Sequence, residues 1–417
     1  MGERRRLCIV DPRVNLDSPT MKHLVHAIPA LIDGGWLVTV IAEDIDPGLP
    51  VEFRCLKPRI QMPILGGFEF LSRAQKSVRE FRVRHPEAII LGTPSIPYGA
   101  DVSAVHFLQH IWLRLARKVP GMNWRERAWL LLAAIDARRA RRDFSSNRRA
   151  IWLPVSESIA RELRKVVATP EKVCVLPNSF DESRFNLDIA DYFRGPKRAE
   201  LNFGAKNIVF AFLCQGHHRR KGFWVATEAL ARLRKKKPDY DPRFLVIGGI
   251  PSTLGRLKQS LSRKVGDWRD WIHFTGMTEC PEEYLAAADA FLLPSYFEAF
   301  CLAEIEAAGM GLPLLLTPHH GVEMILEHGR NGLTIDWDPS VLSNQLLDFI
   351  SGASPLGPLD PINLRPRDFE PSVGRALNRS QYSSALLAFL EVAYENKATR
   401  RGGSGRRAKE RRFRIFG

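Results

Sequence analysis

Cysteine is scarce and scattered. The six in 417 residues, Cys8, Cys55, Cys174, Cys214, Cys280 and Cys301, form no CxxC pair and have no histidine partner at metal spacing. That excludes a zinc module and a disulfide framework, and leaves the expectation of reduced thiols with no metal site. Long apolar runs are missing too. The longest, AWLLLAAI at 128–135, falls far short of the roughly 20 residues that a bilayer-spanning helix needs. The opening segment MGERRRLCIVDP passes from three arginines straight into a strand-like stretch, too short and wrongly flanked for an export signal. The expected location is cytoplasmic, with any membrane contact peripheral.

Several signatures are also absent. No G-x-G-x-x-G follows an expected strand, so a nicotinamide dehydrogenase loses its main support; Gly248 and Gly249 in VIGGIPSTLG have the spacing of a turn. No repeat of 20–50 residues is visible, and His217, His218, His319 and His320 fall in no H-x-H or H-E-x-x-H pattern. The acidic triplets at Asp44 and Asp46, Asp239 and Asp241, and Asp336 and Asp338 read as loop acids.

What is present is an ordinary soluble composition, 45% hydrophobic and 26% charged, with a net charge of +15. The charge is concentrated. Between Ile111 and Ala150 eleven Arg or Lys face three acidic residues, with Trp112, Trp124 and Trp129 interleaved. An anionic membrane surface, nucleic acid or plain solvent could each meet such a face. Tryptophan beside cations suits the headgroup boundary, and no RNP box, zinc finger or heptad zipper accompanies the charge, so nucleic acid is disfavoured. The final stretch KATRRGGSGRRAKERRFRIFG is rich in Gly and Arg and reads as a disordered tail.

Short apolar or β-branched runs alternate with helical patterns along most of the chain, which implies βαβ units and parallel sheets. The expected strands are RLCIVD, WLVTVIA, EFRCL, EAIILGT, DVSAVHF and IWLPVSE in the first half, then NIVFAFL, RFLVIGG, WIHFTG, AFLLPS, LPLLLT and GLTID. Residues 187–206 lose periodicity and gain Gly, Pro and charge, as a connection between domains would. The expected division is 1–195, 196–390 and a basic tail at 391–417. Ligands of open parallel sheets bind beyond the carboxyl ends of the strands, so functional residues should sit just after strands.

Three stretches meet that condition. In PSYFEAFCLAEIEAAGMGLP, 294–313, Glu298 lies in a loop after a buried strand, and a helix follows that carries Glu304 and Glu306. These two are about 200° apart around the axis, so one can be solvated while the other points inward. The N–H groups of Phe300, Cys301 and Leu302 open that helix and offer a diphosphate site, while Glu306 could accept from a sugar hydroxyl pair; alternatively the helical acids only complement its dipole. In FAFLCQGHHRRKGFWVATEALARL, 210–233, Arg219, Arg220 and Lys221 precede Gly222 after a strand. Such cations could neutralise a diphosphate, or form a solvated basic turn. In ADVSAVHFLQHIW, His106 ends a strand, where it could bind a hydroxyl or move a proton.

Five landmarks then occur in order: VSESIARELRK at 155–165, VCVLPNSFDESRF at 173–185, RRKGFWVATEAL at 219–230, the long segment 271–315, and HHGVEMILEHGRNGLTI at 319–335. With them the chain resembles the retaining, nucleotide-sugar-dependent glycosyltransferases of the GT-B fold, family 4. The resemblance implies two Rossmann-like parallel-sheet domains facing across a cleft, an acceptor-side domain at 1–195 and a nucleotide-sugar domain at 196–390. Glu298 and Glu306 fit the family's E-x7-E signature. By that resemblance Glu298 would contact the transferred sugar, Glu306 the ribose hydroxyls, and Arg220 with Lys221 the diphosphate, with Arg219 adjacent. His106 would face sugar and acceptor, and Asn178 is treated as structural.

The implied donor is a nucleotide sugar, used as a substrate without any cofactor or metal, and the implied acceptor is a glycan or a lipid-linked glycan. The chain departs from the pattern at E-A-F-C, where Ala299 and Cys301 replace glycines. It also departs after the first strand, where DPRVNLDSPTMKH replaces a Gly-Gly loop. A non-catalytic GT-B protein that binds a nucleotide sugar or glycan is the alternative these departures leave open.

Overall fold

The protein's computed structural model describes residues 5–59, 63–94, 96–122, 124–358 and 372–401. All twelve expected strands are present. Unit 1, drawn from Met1–Ile111, Trp124–Ser179 and Leu377–Gly417, carries strands β1 (Arg5–Val10), β2 (Trp36–Ala42), β3 (Glu52–Cys55), β4 (Ile89–Gly92), β5 (Val102–Val105) and β6 (Ile151–Pro154). Unit 2, drawn from Trp112–Asn123 and Phe180–Ala376, carries β7 (Ile208–Leu213), β8 (Pro242–Ile247), β9 (Ile272–Gly276), β10 (Ala290–Leu293), β11 (Leu314–Leu316) and β12 (Gly332–Thr334). The order along the first sheet is β3-β2-β1-β4-β5-β6 and along the second β9-β8-β7-β10-β11-β12, all pairs parallel.

Each sheet is therefore doubly wound. Its order reverses between β1 and β4 in unit 1 and between β7 and β10 in unit 2, and a crevice forms beyond the carboxyl ends of strands at such a point. Helices cover both faces, which is why central strands such as IVFAFL and AFLL are buried almost throughout rather than alternating. In unit 1, Leu7, Ile9, Val38 and Val40 pack with Leu24, Ile28 and Leu31 of the helix Lys22–Asp33.

The boundaries differ from expectation. Residues 187–200 are not a linker but a helix, Leu187–Glu200, in unit 2. Asn186 caps it, accepting from Ile189 N at 2.9 Å. The charge that suggested a linker is consumed in packing: Arg194 and Arg198 both reach the Asp289 carboxylate, and Lys197 pairs with Glu283 at 2.8 Å. The division between units falls at 179/180 rather than near 195. Residues 379–401 form one helix, Arg379–Arg401, that belongs to unit 1. Its Leu386, Phe389 and Leu390 are buried in that unit's core, so the expected tail begins no earlier than residue 402, outside the described residues.

Candidate functional site

In unit 2 the loops that leave β7 and β10, the two strands at the switch point, carry the predicted acid and cations. The first loop turns through Gly222 at φ 80°, and a methyl group there would overlap the Pro294 carbonyl of the second. Only glycine allows that conformation and that approach. A hydrogen bond then ties the loops, with Tyr296 N donating to the Arg220 carbonyl at 2.9 Å. Gly321, at φ 88°, lets the loop after β11 close against Ala299 in the same way.

Glu298 is held between these loops and is only 7% exposed. Its Oε1 lies 3.1 Å from Lys221 Nζ and 4.0 Å from an Arg220 guanidinium nitrogen, and accepts from Ser295 Oγ at 3.1 Å. Burial by itself would push this carboxyl up. The Lys221 ammonium and the Arg220 guanidinium, with His319 behind them, more than offset that and hold it at about 2. Lys221 is correspondingly held above the ordinary lysine range: burial opposes its charge, but the Glu298 carboxylate favours it. The Arg220 guanidinium also lies 6.0 Å from the centroid of the Trp112 ring.

Cys301 sits at the N-cap of the helix Leu302–Gly309, which no side chain caps. Phe300 and Cys301 are buried, Leu302 partly so. Lys221 Nζ is 3.2 Å from Cys301 Sγ, so the cation stands at the start of this helix. The thiol is driven well above its ordinary range by burial, so Cys301 is a neutral wall here. The expectation that one of Glu304 and Glu306 is solvated fails, since Glu304 is 0% and Glu306 9% exposed. The helix is enclosed on both sides, and Glu304 meets an equally buried partner, His319, at 2.9 Å. Burial lowers the imidazole's affinity for a proton, but Glu304 and the His320 carbonyl reverse that and raise its pKa. Sequence spacing offered His319 no partner, and this pair went unread.

Arg219 takes a different role from its neighbours: it donates to the Pro120 carbonyl at 3.1 Å. Of the acidic triplets, Asp46, Asp241, Asp336 and Asp338 are loop acids, whereas Asp44 belongs to the short strand Asp44–Ile45 and Asp239 to the 3-10 turn Pro238–Tyr240. Asp241 accepts from Arg234 and Arg243, and Asp338 caps the helix Pro339–Ser351.

In unit 1, His106 follows β5 and is partly buried. Burial pulls its imidazole down to about 4, a hydrogen bond with Asn178 offsetting part of this, so the ring is neutral at pH 7. Asn178 thus supports His106, a contact that its landmark alone did not reveal. Asp11, at the end of β1, is also buried; its carboxyl is raised by burial to about 7, against hydrogen bonds from Arg13 N at 3.1 Å and Thr93 Oγ1 at 3.4 Å. The visible signal was the acid closing CIVD at the first strand's carboxyl end.

Residues 207–351 match the family model of the group 1 glycosyl transferases. The fold is GT-B. Among curated proteins the chain is similar to the D-inositol 3-phosphate glycosyltransferase of Jonesia denitrificans, 31% identical over 185 residues that make up 42% of each chain. It is also similar to the amylovoran biosynthesis glycosyltransferase AmsK of Erwinia amylovora, 25% identical over 281 residues, 63% of this chain and 64% of that one. The chain spans less than half the length of the first of these relatives. The crystal structure of Anabaena Alr3699/HepE in complex with UDP-glucose matches with a TM-score of 0.60 over 96% of this chain and 100% of that one, at 14% identity. The GT-B switch point of unit 2, with its cations and acid, lies inside the matched segment.

The Lys221–Glu298 contact makes a titration prediction. The folded pKa of Glu298 lies below its ordinary value of 4.5, so its contribution to stability is complete above that value and is lost as pH falls toward 2. Replacing Lys221 by Met leaves the carboxylate buried beside Arg220 alone, and its pKa should climb by one unit or more. Carbon-13 titration of glutamate carboxyls checks this; one resonance should stay ionised to about pH 2 in the native protein and lose that property in Lys221→Met.

Proposed function

We propose that the protein is a retaining, metal-independent glycosyltransferase that moves a sugar from a nucleotide-sugar donor to a glycan or lipid-linked acceptor. One juxtaposition carries the reading: Lys221, Arg220 and Glu298 gathered beside the uncapped start of the helix Leu302–Gly309, at a sheet switch point within the segment the group 1 model matches. Support also comes from curated relatives named as glycosyltransferases and from the UDP-glucose carried by a protein of the same fold.

In this reading the diphosphate lies against Arg220, Lys221 and the N–H groups of Phe300, Cys301 and Leu302, where cations and a helix start both favour negative charge. The incoming diphosphate takes over part of the cationic field that Glu298 now holds, leaving Glu298 ionised to accept from a hydroxyl of the transferred sugar. Glu306 accepts from the ribose hydroxyls. The anomeric C–O bond to the β-phosphate breaks, the acceptor oxygen bonds to that carbon on the same face, and the acceptor's proton passes to the departing phosphate oxygen. No carboxylate nucleophile takes part. The protein positions the reactants and stabilises the leaving charge, work that the two cations do in place of a metal ion. Neutral His106, steadied by Asn178, is suited to bind a substrate hydroxyl.

The test is transfer from a panel of uridine, guanosine and adenosine diphosphate sugars. One donor should turn over, insensitive to EDTA, with retained anomeric configuration by proton NMR. Lys221→Ala and Glu298→Gln should each lower kcat about 100-fold. Inversion, or undiminished turnover in both variants, contradicts the mechanism.

We further propose that the enzyme works at an anionic membrane surface. No helix among the described residues is long and apolar enough to cross a bilayer. The helix Trp124–Ser146, however, exposes Trp124, Trp129, Leu131 and Ile135 together with Arg138, Arg141 and Arg142, the mixture that suits the headgroup boundary. Vesicles with anionic lipid should co-sediment the protein, purely zwitterionic vesicles should not, and Trp129→Ser with Leu131→Ser should abolish the difference. Equal behaviour on both vesicle types would remove this part of the proposal.

A further inference from the structure

The basic stretch that opens at Lys397 starts inside the helix Arg379–Arg401. Ala393, Asn396, Lys397 and Arg400 recur at spacings of three and four residues, so they share one face of that helix. The face closes a cavity of about 320 Å³ in unit 1. The sheet supplies the other walls. Asp101 immediately precedes β5, Arg149 and Ile151 stand at the start of β6, and Lys172 ends the turn Pro170–Lys172. A hydrogen bond from Cys174 N to the Trp152 carbonyl, at 2.9 Å, holds that turn beside β6. The cavity therefore lies at the amino ends of the strands, whereas the switch-point crevice lies beyond their carboxyl ends.

Its charge is one-sided. Of the described residues that line it, four are cations, Arg149, Lys172, Lys397 and Arg400, and one is an acid, Asp101. That acid is occupied by the fold. Its Oδ2 accepts from Ile90 N at 3.0 Å and lies 3.0 Å from Lys397 Nζ and 3.4 Å from an Arg82 guanidinium nitrogen. One shared carboxylate leaves the lining strongly positive. The helix dipole accounts for Lys397 and Arg400, which lie in the last turns of their helix, but Arg149 and Lys172 come from other elements and lie outside its reach.

The cations are also graded by depth. Lys172 is only 8% exposed and donates to the Arg148 carbonyl at 3.0 Å, whereas Arg149 and Arg400 are exposed. An ammonium fixed within and two guanidinium forks at the rim suit an anion that enters from solvent. A phosphate group brings about 1.5 to 2 negative charges and three acceptor oxygens into a small volume, which a single carboxylate cannot match. The cavity is also of the size that small-molecule sites have.

We propose that this cavity is an anion site and that its ligand carries a phosphate or diphosphate group. The bound group bridges the helix Arg379–Arg401 to the starts of β5 and β6, and so fastens the helix to unit 1. The site is independent of the glycosyltransferase reading and of whatever unit 2 binds.

The probe is inorganic pyrophosphate, and the readout is phenylglyoxal modification of arginines in the full-length protein, mapped by mass spectrometry. At roughly ten times its dissociation constant, pyrophosphate should slow modification of Arg149 and Arg400 about tenfold. Arg138 and Arg141, exposed on the helix Trp124–Ser146, should react as before. Calorimetry should find a pyrophosphate site that persists in folded Lys221→Met and weakens about tenfold or more in the double variant Arg149→Ser, Arg400→Ser. Both arginines are exposed, so the double variant should keep the native Tm in the absence of the probe. Vesicles containing phosphatidate identify the source: protection by pyrophosphate marks a soluble ligand, and protection by the vesicles alone marks the phosphate of a lipid headgroup. Unprotected Arg149 and Arg400 with both probes, or a pyrophosphate affinity that the double variant leaves unchanged, would overturn the assignment.

Discussion

A carboxylate and an ammonium, both withdrawn from water, organise unit 2. Glu298 belongs to the loop after β10 and Lys221 to the loop after β7, and their contact is bounded by Arg220, Ser295 and Cys301. Removing either charge strands the other in a low-dielectric setting, a larger loss than an exposed pair would suffer. The arrangement requires the two loops to meet, and they can because Gly222 has no side chain to strike Pro294. Conformational freedom at one residue thus permits the electrostatics of the whole site. The concentration of positive charge is greater than one carboxylate needs, which is what makes the site suited to an anion.

The two units have the same strand order yet fill their switch points differently. Unit 2 gathers strong, opposed charges at the start of a helix. Unit 1 gathers groups whose charged forms burial disfavours, a carboxyl raised to about 7 and an imidazole lowered to about 4. The first environment suits a diphosphate whose charge must be stabilised as it departs. The second suits a hydroxyl that must be oriented without being bound as an ion. One topology supports both because the strands fix only where the crevice lies, and the loops and flanking helices decide its chemistry.

Much of this was legible in the sequence, for identifiable reasons. The strands were readable because parallel-sheet strands buried on both faces appear as unbroken apolar runs. The Glu298 and Lys221 loops were readable because they directly follow such runs. The helix Leu187–Glu200 was not, since Gly195, Pro196 and its charges imitate a linker until Asp289, far along the chain, is seen to receive Arg194 and Arg198. The burial of both Glu304 and Glu306 is not legible for the same reason, because the burial of a carboxylate depends on a partner, for Glu304 His319, that spacing along one helix cannot supply. The charged end of the helix Arg379–Arg401 imitates a basic tail, and its membership of unit 1 shows only in the packing of Leu386, Phe389 and Leu390 in that unit's core. In each case the missing information was a long-range contact.

The account stands on the claim that the cations around Glu298 exist to hold a diphosphate. It is tested most directly by equilibrium titration of the protein with a nucleoside and with the corresponding nucleoside 5′-diphosphate. The diphosphate should bind at least tenfold more tightly, a difference of about 1.4 kcal/mol, and the gap should close in a protein whose Lys221 is replaced by methionine. Equal affinity for nucleoside and diphosphate, or a preference untouched by loss of the lysine, would contradict it.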